Sequence, residues 1–385
     1  MEHLINSNVR EIEISGIRKF FNLVSQYDDV ISLTIGQPDF HTPSHVKEAA
    51  HNAIDNNKTN YTPNAGLPEL RRAAAHFVQH KYGLSYEADS EVIVSIGASQ
   101  GIDIAFRTIL EPGVEVILPG PIYPGYEPLI KLCGATPVYI DTRDTYFKIT
   151  AKQIEQHLTD KTRCIILPYP SNPTGVAIQE EELIKIATLL KDKDIFILSD
   201  EIYSELVFTG KHHSIANYPG MKEKTIVING VSKSHSMTGW RIGLVFGPEY
   251  VMKQMLKVHQ YNVSCASSIS QYAALEALTE GINDAEVMSI QYKERMEYVH
   301  NRLVKMGLDV VKPDGAFYLF PSIQKYGISS FDFAQQLVEN AGIAVVPGSA
   351  FSPLGEGFVR VSYAYNMETL VEAMDRFENY LTTIS

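Results

Sequence analysis

The sequence predicts an α/β fold in which a mainly parallel sheet is covered by helices and is followed by a second, smaller α/β domain. Short runs rich in Val and Ile alternate with helix-period segments from about residue 42, which is the rhythm of βα units. The runs are apolar throughout rather than alternating, as strands buried on both faces are. The texture then changes after Pro248. In the first helix of this series Thr42 is placed to cap, Pro43 suits the first helical position, and Val46, Ala49, Ala50, Ala53 and Ile54 share an apolar face. The predicted strands are EVIVSI (91–96), EVILP (115–119), CIILPY (164–169), IFILSD (195–200), TIVIN (225–229) and GLVFG (243–247). Long helical stretches follow to about 307, and the shorter strands AFYLF (316–320), IAVVP (343–347) and FVRVSYA (358–364) lie among helices beyond them. There is no Gly/Ser-rich linker, internal repeat or low-complexity tract, so closely packed domains are expected. The expected division is a large domain over 41–280 and a small domain over 281–385, to which the N-terminal segment 1–40 belongs.

Composition narrows the function. The 385 residues are 45% hydrophobic and 20% charged, with a formal net charge of −12, so the average surface repels phosphate backbones and anionic lipid. Neither nucleic acid nor membrane is an expected partner. Cys133, Cys164 and Cys265 are too few and too scattered for a disulfide framework or a CxxC metal site, and no metal ligand set is expected. The N-terminal MEHLINSNVREIEISGIRKF has charges throughout and no apolar signal core, and no run approaches 18 apolar residues. A cytoplasmic protein is expected.

In an open α/β sheet ligands bind beyond the carboxyl ends of the strands, and four such ends carry unusual residues. EVIVSI leads into Gly97-Ala98-Ser99, where backbone N–H groups, a hydroxyl and a helix N-terminus suit a phosphate, although small residues there also serve packing. CIILPY leads into Pro170-Ser171-Asn172-Pro173-Thr174-Gly175, and IFILS into Asp200-Glu201-Ile202-Tyr203. TIVIN leads into Gly230-Val231-Ser232-Lys233, with Arg241 eight residues on. Lys233 in this position is either a surface lysine or an amine whose pKa is lowered by desolvation and a cationic neighbour, as Schiff-base chemistry requires. Asp200 just past a strand core is expected to be partly buried and to need a cationic partner, whether as a structural ion pair or as a functional group. A lysine, a carboxylate, hydroxyl and amide donors and a phosphate cup are together what pyridoxal phosphate needs.

The segments SLTIGQPDF, YTPNAGLPELR, PSNPTG, SDEIY, SKSHSMTGWRIG and FVRVSYA, in this order over nearly the whole chain, resemble the class I aminotransferases, pyridoxal-phosphate enzymes of fold type I. The resemblance implies a seven-stranded sheet in the large domain, pyridoxal 5′-phosphate as cofactor, and amino-acid and 2-oxo-acid substrates. It implies Lys233 as the lysine bonded to the cofactor and later the proton carrier, Asp200 as partner of the pyridine nitrogen, and Asn172 and Tyr203 as donors to the ring oxygen. It further implies Ala98, Ser99 and Arg241 at the phosphate, Tyr123 stacked on the pyridine, and Arg360 pairing with the substrate α-carboxylate. A homodimer with shared sites is also implied, in which Tyr61 reaches the neighbouring subunit's phosphate. Gly230 stands where many relatives place a phosphate-binding serine. Gly36 resembles a glycine whose backbone approaches substrate, with a tight turn as the other reading.

Within this family EIEISGIRKF, PGPIYPGYEP and KVHQYNVSCASSISQ are similar to the N-acetyl-LL-diaminopimelate aminotransferase of lysine biosynthesis, which uses glutamate and 2-oxoglutarate as the second pair. An aromatic or aspartate aminotransferase and a β-lyase on the same fold stay open. Arg18 is then a candidate for the distal acyl or carboxylate group, or a surface arginine, and Tyr123 and Tyr126 would be the wall for an aromatic ring. His235 is not expected to be the base, because the lysine itself moves the proton in this family. His212-His213 is expected in a solvated loop.

Overall fold

In the computed structural model, which describes residues 1–384, the first strand is the short β1 (Ile31–Ser32). Next come β2 (Val92–Ile96), β3 (Glu115–Gly120), β4 (Thr136–Asp141), β5 (Thr162–Leu167), β6 (Phe196–Asp200), β7 (Thr225–Gly230) and β8 (Ile242–Phe246). These form one seven-stranded sheet in the order β2-β8-β7-β6-β5-β3-β4. Only β8 runs antiparallel to its neighbours, so the other six strands end at the same edge. The sheet is the mainly parallel, helix-covered α/β architecture expected.

The continuous apolar runs are explained by burial on both faces. Ile93, Val116, Ile166, Leu198, Ile228 and Val245 project to one side, where they pack with Ile104 and Phe106 of the Gly97–Ile109 helix. On the other side Val94, Val227 and Leu244 enter one cluster, and Ile117, Ile165 and Ile197 another. Strand β4 was not among the predicted strands. It is an edge strand, half-buried along most of its length, and Thr136, Pro137 and Asp141 interrupt its apolar pattern.

The remaining strands are β9 (Tyr318–Leu319), β10 (Ile343–Ala344), β11 (Val346–Pro347) and β12 (Val359–Ser362). They make a three-stranded antiparallel sheet, β11-β12-β9, and a parallel β1-β10 pair. Phe20, Val24 and Leu33 from the N-terminal segment share a core with Tyr292, Met296, Phe333, Leu337, Met374 and Phe377 of the C-terminal helices.

Three details of the first βα helix differ from expectation, the first being that Pro43, expected at its first position, is the residue just before it. Thr42 does not cap it: its hydroxyl donates to the Ser236 carbonyl at 2.8 Å and accepts from the Trp240 indole at 3.0 Å, and the helix starts uncapped at Ser44. Ile54 is 48% exposed, although Val46, Ala50 and Ala53 on the same helix are buried.

Candidate active site

The carboxyl edge of the sheet gathers the predicted residues, and the single reversed strand adds one more. Because β8 runs antiparallel, its start lies beside the ends of β2 and β7, with Ile242 in register with Ile96 and Gly243 with Gly230. Arg241, one residue before β8, is thereby delivered to the start of the Gly97–Ile109 helix. It sits there in a left-handed conformation (φ 58°), with Nη1 donating to the Thr238 carbonyl at 2.8 Å. Gly97 also has positive φ (72°), and a β-carbon on it would collide with the Arg241 guanidinium. The glycine therefore opens a cradle between a cation and a helix N-terminus, with half-buried Ala98 and exposed Ser99 in the first turn.

Asp200 ends β6 and is buried. Its Oδ2 accepts from the Tyr126 hydroxyl at 2.6 Å and its Oδ1 from the Ile202 N–H at 3.2 Å. Asp200 forms no ion pair among the described residues, and burial pushes its pKa up to about 6 against these two hydrogen bonds and the more distant Lys233 charge. Of the two readings left open for Asp200, the structural ion pair is not formed among the described residues. Tyr126, expected to line a pocket for an aromatic substrate, is buried and committed to Asp200.

Lys233 follows β7 and donates from Nζ to the Gly36 carbonyl at 2.5 Å, with the rings of Tyr203 and Phe317 each 5.7 Å away. Burial, reinforced by the charges of Arg360 and Arg241, lowers its pKa to about 8. Tyr123, beyond β3, packs edge-on against Tyr126 at 5.6 Å.

Arg360 on β12 is 2% exposed, yet its partners are all neutral. Nη1 donates to Asn172 Oδ1 at 2.9 Å and Nη2 to the Thr34 carbonyl at 2.6 Å, and Nε has no partner. The guanidinium lies over the rings of Tyr318 at 4.4 Å and Phe351 at 5.0 Å. Burial lowers its pKa, but an arginine retains its proton. A buried cation with an orphaned N–H and no counter-charge is a site for an anion. The Tyr203 hydroxyl, also buried, lies 2.9 Å from that of Tyr318.

Two predicted residues lie apart from this group within the chain. Tyr61 is 89% exposed. Arg18 is exposed on the Gly16–Val24 helix and forms no ion pair among the described residues, although the adjacent Ile17 packs against the cluster that contains Phe351. His212 departs from the solvated loop expected of the pair: its side chain is buried and bonds through Nε2 to Glu201 Oε2 at 2.8 Å. Glu201 also accepts from Ser199 and Ser214, so this network holds the turn after Asp200 from behind. His235 is buried and bonded to the Ser234 hydroxyl and the Gly281 carbonyl, a structural arrangement. Thr34 and Tyr318 are the residues the sequence did not single out. Both sit inside segments whose patterns announce only a family motif or a strand.

The donor set matches pyridoxal 5′-phosphate group by group. An amine with depressed pKa suits the aldehyde, and a buried carboxylate without a resident cation suits a protonated pyridine nitrogen. A cradle of helix N-terminus and arginine that a β-carbon would fill suits the phosphate. Such equipment on a sheet of this topology defines a pyridoxal-phosphate enzyme of fold type I. The chain belongs to the aminotransferase class I and II family, whose model matches residues 28–377, and it is a pyridoxal-phosphate-dependent aminotransferase. It is 64% identical over 381 residues to a Bacillus subtilis (strain 168) protein described as "probable N-acetyl-LL-diaminopimelate aminotransferase", covering 99% of this chain and 96% of that one. It is 40% identical to aromatic-amino-acid aminotransferase 2 of Thermococcus litoralis, covering 98% of each. Among solved structures, the aromatic aminotransferase from Pyrococcus horikoshii superposes with a TM-score of 0.90 at 40% identity, covering 95% of this chain and 99% of that one.

Proposed function

We propose that the protein transfers an amino group between N-acetyl-LL-diaminopimelate and the glutamate/2-oxoglutarate pair, a step of lysine biosynthesis. The observation that carries the substrate is the 64% identity, over almost the full length, to the relative so described. Bound at the carboxyl edge, the cofactor supplies an electron sink for charge that develops at Cα. Lys233 would hold the aldehyde, and its amine, with its lowered pKa, is suited to take the Cα proton. Asp200 balances the charge of the pyridine nitrogen. Asn172, whose carbonyl oxygen already serves Arg360, and Tyr203 donate to the ring oxygen. Ala98, Ser99 and Arg241 would hold the phosphate, and Tyr123 would flank the ring. Arg360 clamps the α-carboxylate in two-pronged fashion close to the Gly36 backbone, and Arg18 is the candidate reader of the distal group.

The substrate is tested by comparing kcat/KM for N-acetyl-LL-diaminopimelate, phenylalanine, tyrosine and aspartate, each with 2-oxoglutarate, while measuring glutamate. N-acetyl-LL-diaminopimelate is expected to lead by about tenfold or more, which is about 1.4 kcal/mol of transition-state discrimination. An equal lead for an aromatic donor would transfer the assignment to an aromatic aminotransferase. Pyruvate and ammonia in place of glutamate would indicate a β-lyase.

The exposure of Tyr61 supports a homodimer whose sites are shared, with Tyr61 of the partner subunit serving each phosphate. Mixing Tyr61→Ala and Lys233→Ala chains under conditions of subunit exchange should yield more activity than the sum of the two preparations, because a hybrid dimer regains one intact site. Activity equal to the sum, or a fully active monomer by sedimentation, would refute it. The unpaired Cys133, Cys164 and Cys265 fit a reducing, cytoplasmic setting.

A further inference from the structure

Tyr318 meets three functional positions at once. The first residue of β9, it is fully buried, and its hydroxyl lies 2.9 Å from that of Tyr203. Its ring lies under the Arg360 guanidinium, 4.4 Å from charge centre to ring centroid. A β-carbon at position 36 would come within 3.0 Å of its hydroxyl, so the Gly36 backbone runs close past it. Strands β9 and β12 are paired, with Tyr318 opposite Ser362, so the tyrosine and Arg360 are carried on adjacent strands of one small sheet.

We propose that Tyr318 is a positioning residue that ties the α-carboxylate site to the ring-oxygen donor, its hydroxyl donating to Tyr203 and its ring carrying Arg360. The inference rests on the roles given above to Tyr203 and Arg360. A phenol has a single proton. If Tyr203 spends its own on the cofactor ring oxygen, its oxygen must act as acceptor toward Tyr318, and Tyr318 becomes the donor. A hydroxyl that accepts while it donates is polarised into a stronger donor. Burial holds the Tyr318 pKa above its ordinary value, but the Arg360 charge opposes this and makes the hydroxyl a better donor. The ring has a separate effect. An aromatic face stabilises a guanidinium without neutralising it, whereas a carboxylate partner would compete with the incoming substrate.

The two halves separate in two variants. Tyr318→Phe keeps ring and volume but loses the hydroxyl. The pH midpoint of the visible absorption of the lysine-bound cofactor is expected to rise by about half a unit or more, because the ring oxygen loses stabilisation. The dissociation constant of maleate, a carboxylate without an amino group, read from the same absorption, should stay within about twofold of wild type. Tyr318→Leu loses both features, so maleate binding should in addition weaken about tenfold. Adding Tyr318→Phe to Tyr203→Phe should leave the midpoint of the latter unchanged, since the hydroxyl acts through Tyr203. Should the leucine variant fail to fold, the phenylalanine variant and this double variant decide the proposal.

Wild-type midpoints in Tyr318→Phe, or additive shifts in the double variant, would overturn the hydroxyl's role, and unchanged maleate binding in a folded Tyr318→Leu would overturn the ring's. Failure of the wild-type protein itself to show lysine-bound cofactor is a different result, which removes the assigned site roles and the inference with them.

Discussion

Replacing Lys233 with alanine is expected to lower transamination by at least about 10⁴-fold and to remove the visible absorption of lysine-bound cofactor. The variant loses two functions of one group, the bond to the aldehyde and the base for the Cα proton, and no neighbour replaces either. His235 is the nearest residue in sequence with suitable chemistry, and it is buried and hydrogen-bonded on both nitrogens. The wild-type protein offers a companion measurement. With the amine's pKa near 8, cofactor capture by the cofactor-free enzyme should rise as pH increases through about 8 and then level off. A lysine in water would give the same rise near about 10.4. The folding linkage has the matching sign. Between about 8 and the ordinary lysine value of 10.5 the unfolded chain holds a proton on Lys233 that the folded chain lacks, so this group's contribution to stability is least favourable below 8 and improves as pH rises through that window. Turnover retained in Lys233→Ala would refute the assignment.

Replacing Asp200 with alanine or asparagine should leave a protein that still acquires cofactor through Lys233 and the phosphate cradle but loses about 10²- to 10⁴-fold in kcat. A neutral side chain cannot hold the charge of the pyridine nitrogen, and a neutral pyridine is a poor electron sink. In the cofactor-free protein burial raises the Asp200 pKa to about 6. Between the ordinary aspartate value of 3.8 and about 6 the folded protein binds a proton the unfolded chain does not, so this group's stability contribution declines as pH rises through that interval and is flat above it. A cation at the pyridine position offsets that cost. Thermal melts with and without cofactor should therefore diverge increasingly as pH rises from about 4 to about 6 in wild type, and Asp200→Asn should remove that divergence. A kcat near wild type in either variant would exclude the role.

The strand ends carried most of what could be foreseen. In a parallel sheet the residues after buried apolar runs fall on one edge, so Ser99, Asn172, Asp200 and Lys233 could be grouped before any coordinate was known. Arg241 belongs to the same edge for a different reason, the reversal of β8, which a continuous apolar run does not reveal. Strand β4 escaped because an edge strand is only partly covered and its sequence lacks the two-sided apolar run. Burial of polar side chains was the least legible property. His212 follows a turn in the sequence and reads as solvated, yet it lies against Glu201, a carboxylate buried behind the site.

The sequence by itself determined the α/β class, the helix-covered parallel sheet and which groups are proposed to do the chemistry, because these follow from local periodicity and from motifs a few residues long. Only the tertiary structure decided how those groups are tuned. That Asp200 is buried against Tyr126 without an ion pair, that Arg360 faces neutral partners, and that Tyr318 joins Tyr203 to Arg360 all depend on contacts between residues carried on different elements, far apart in the chain. Desolvation and charge proximity set these properties, and both are functions of distance in space, which no window of sequence contains.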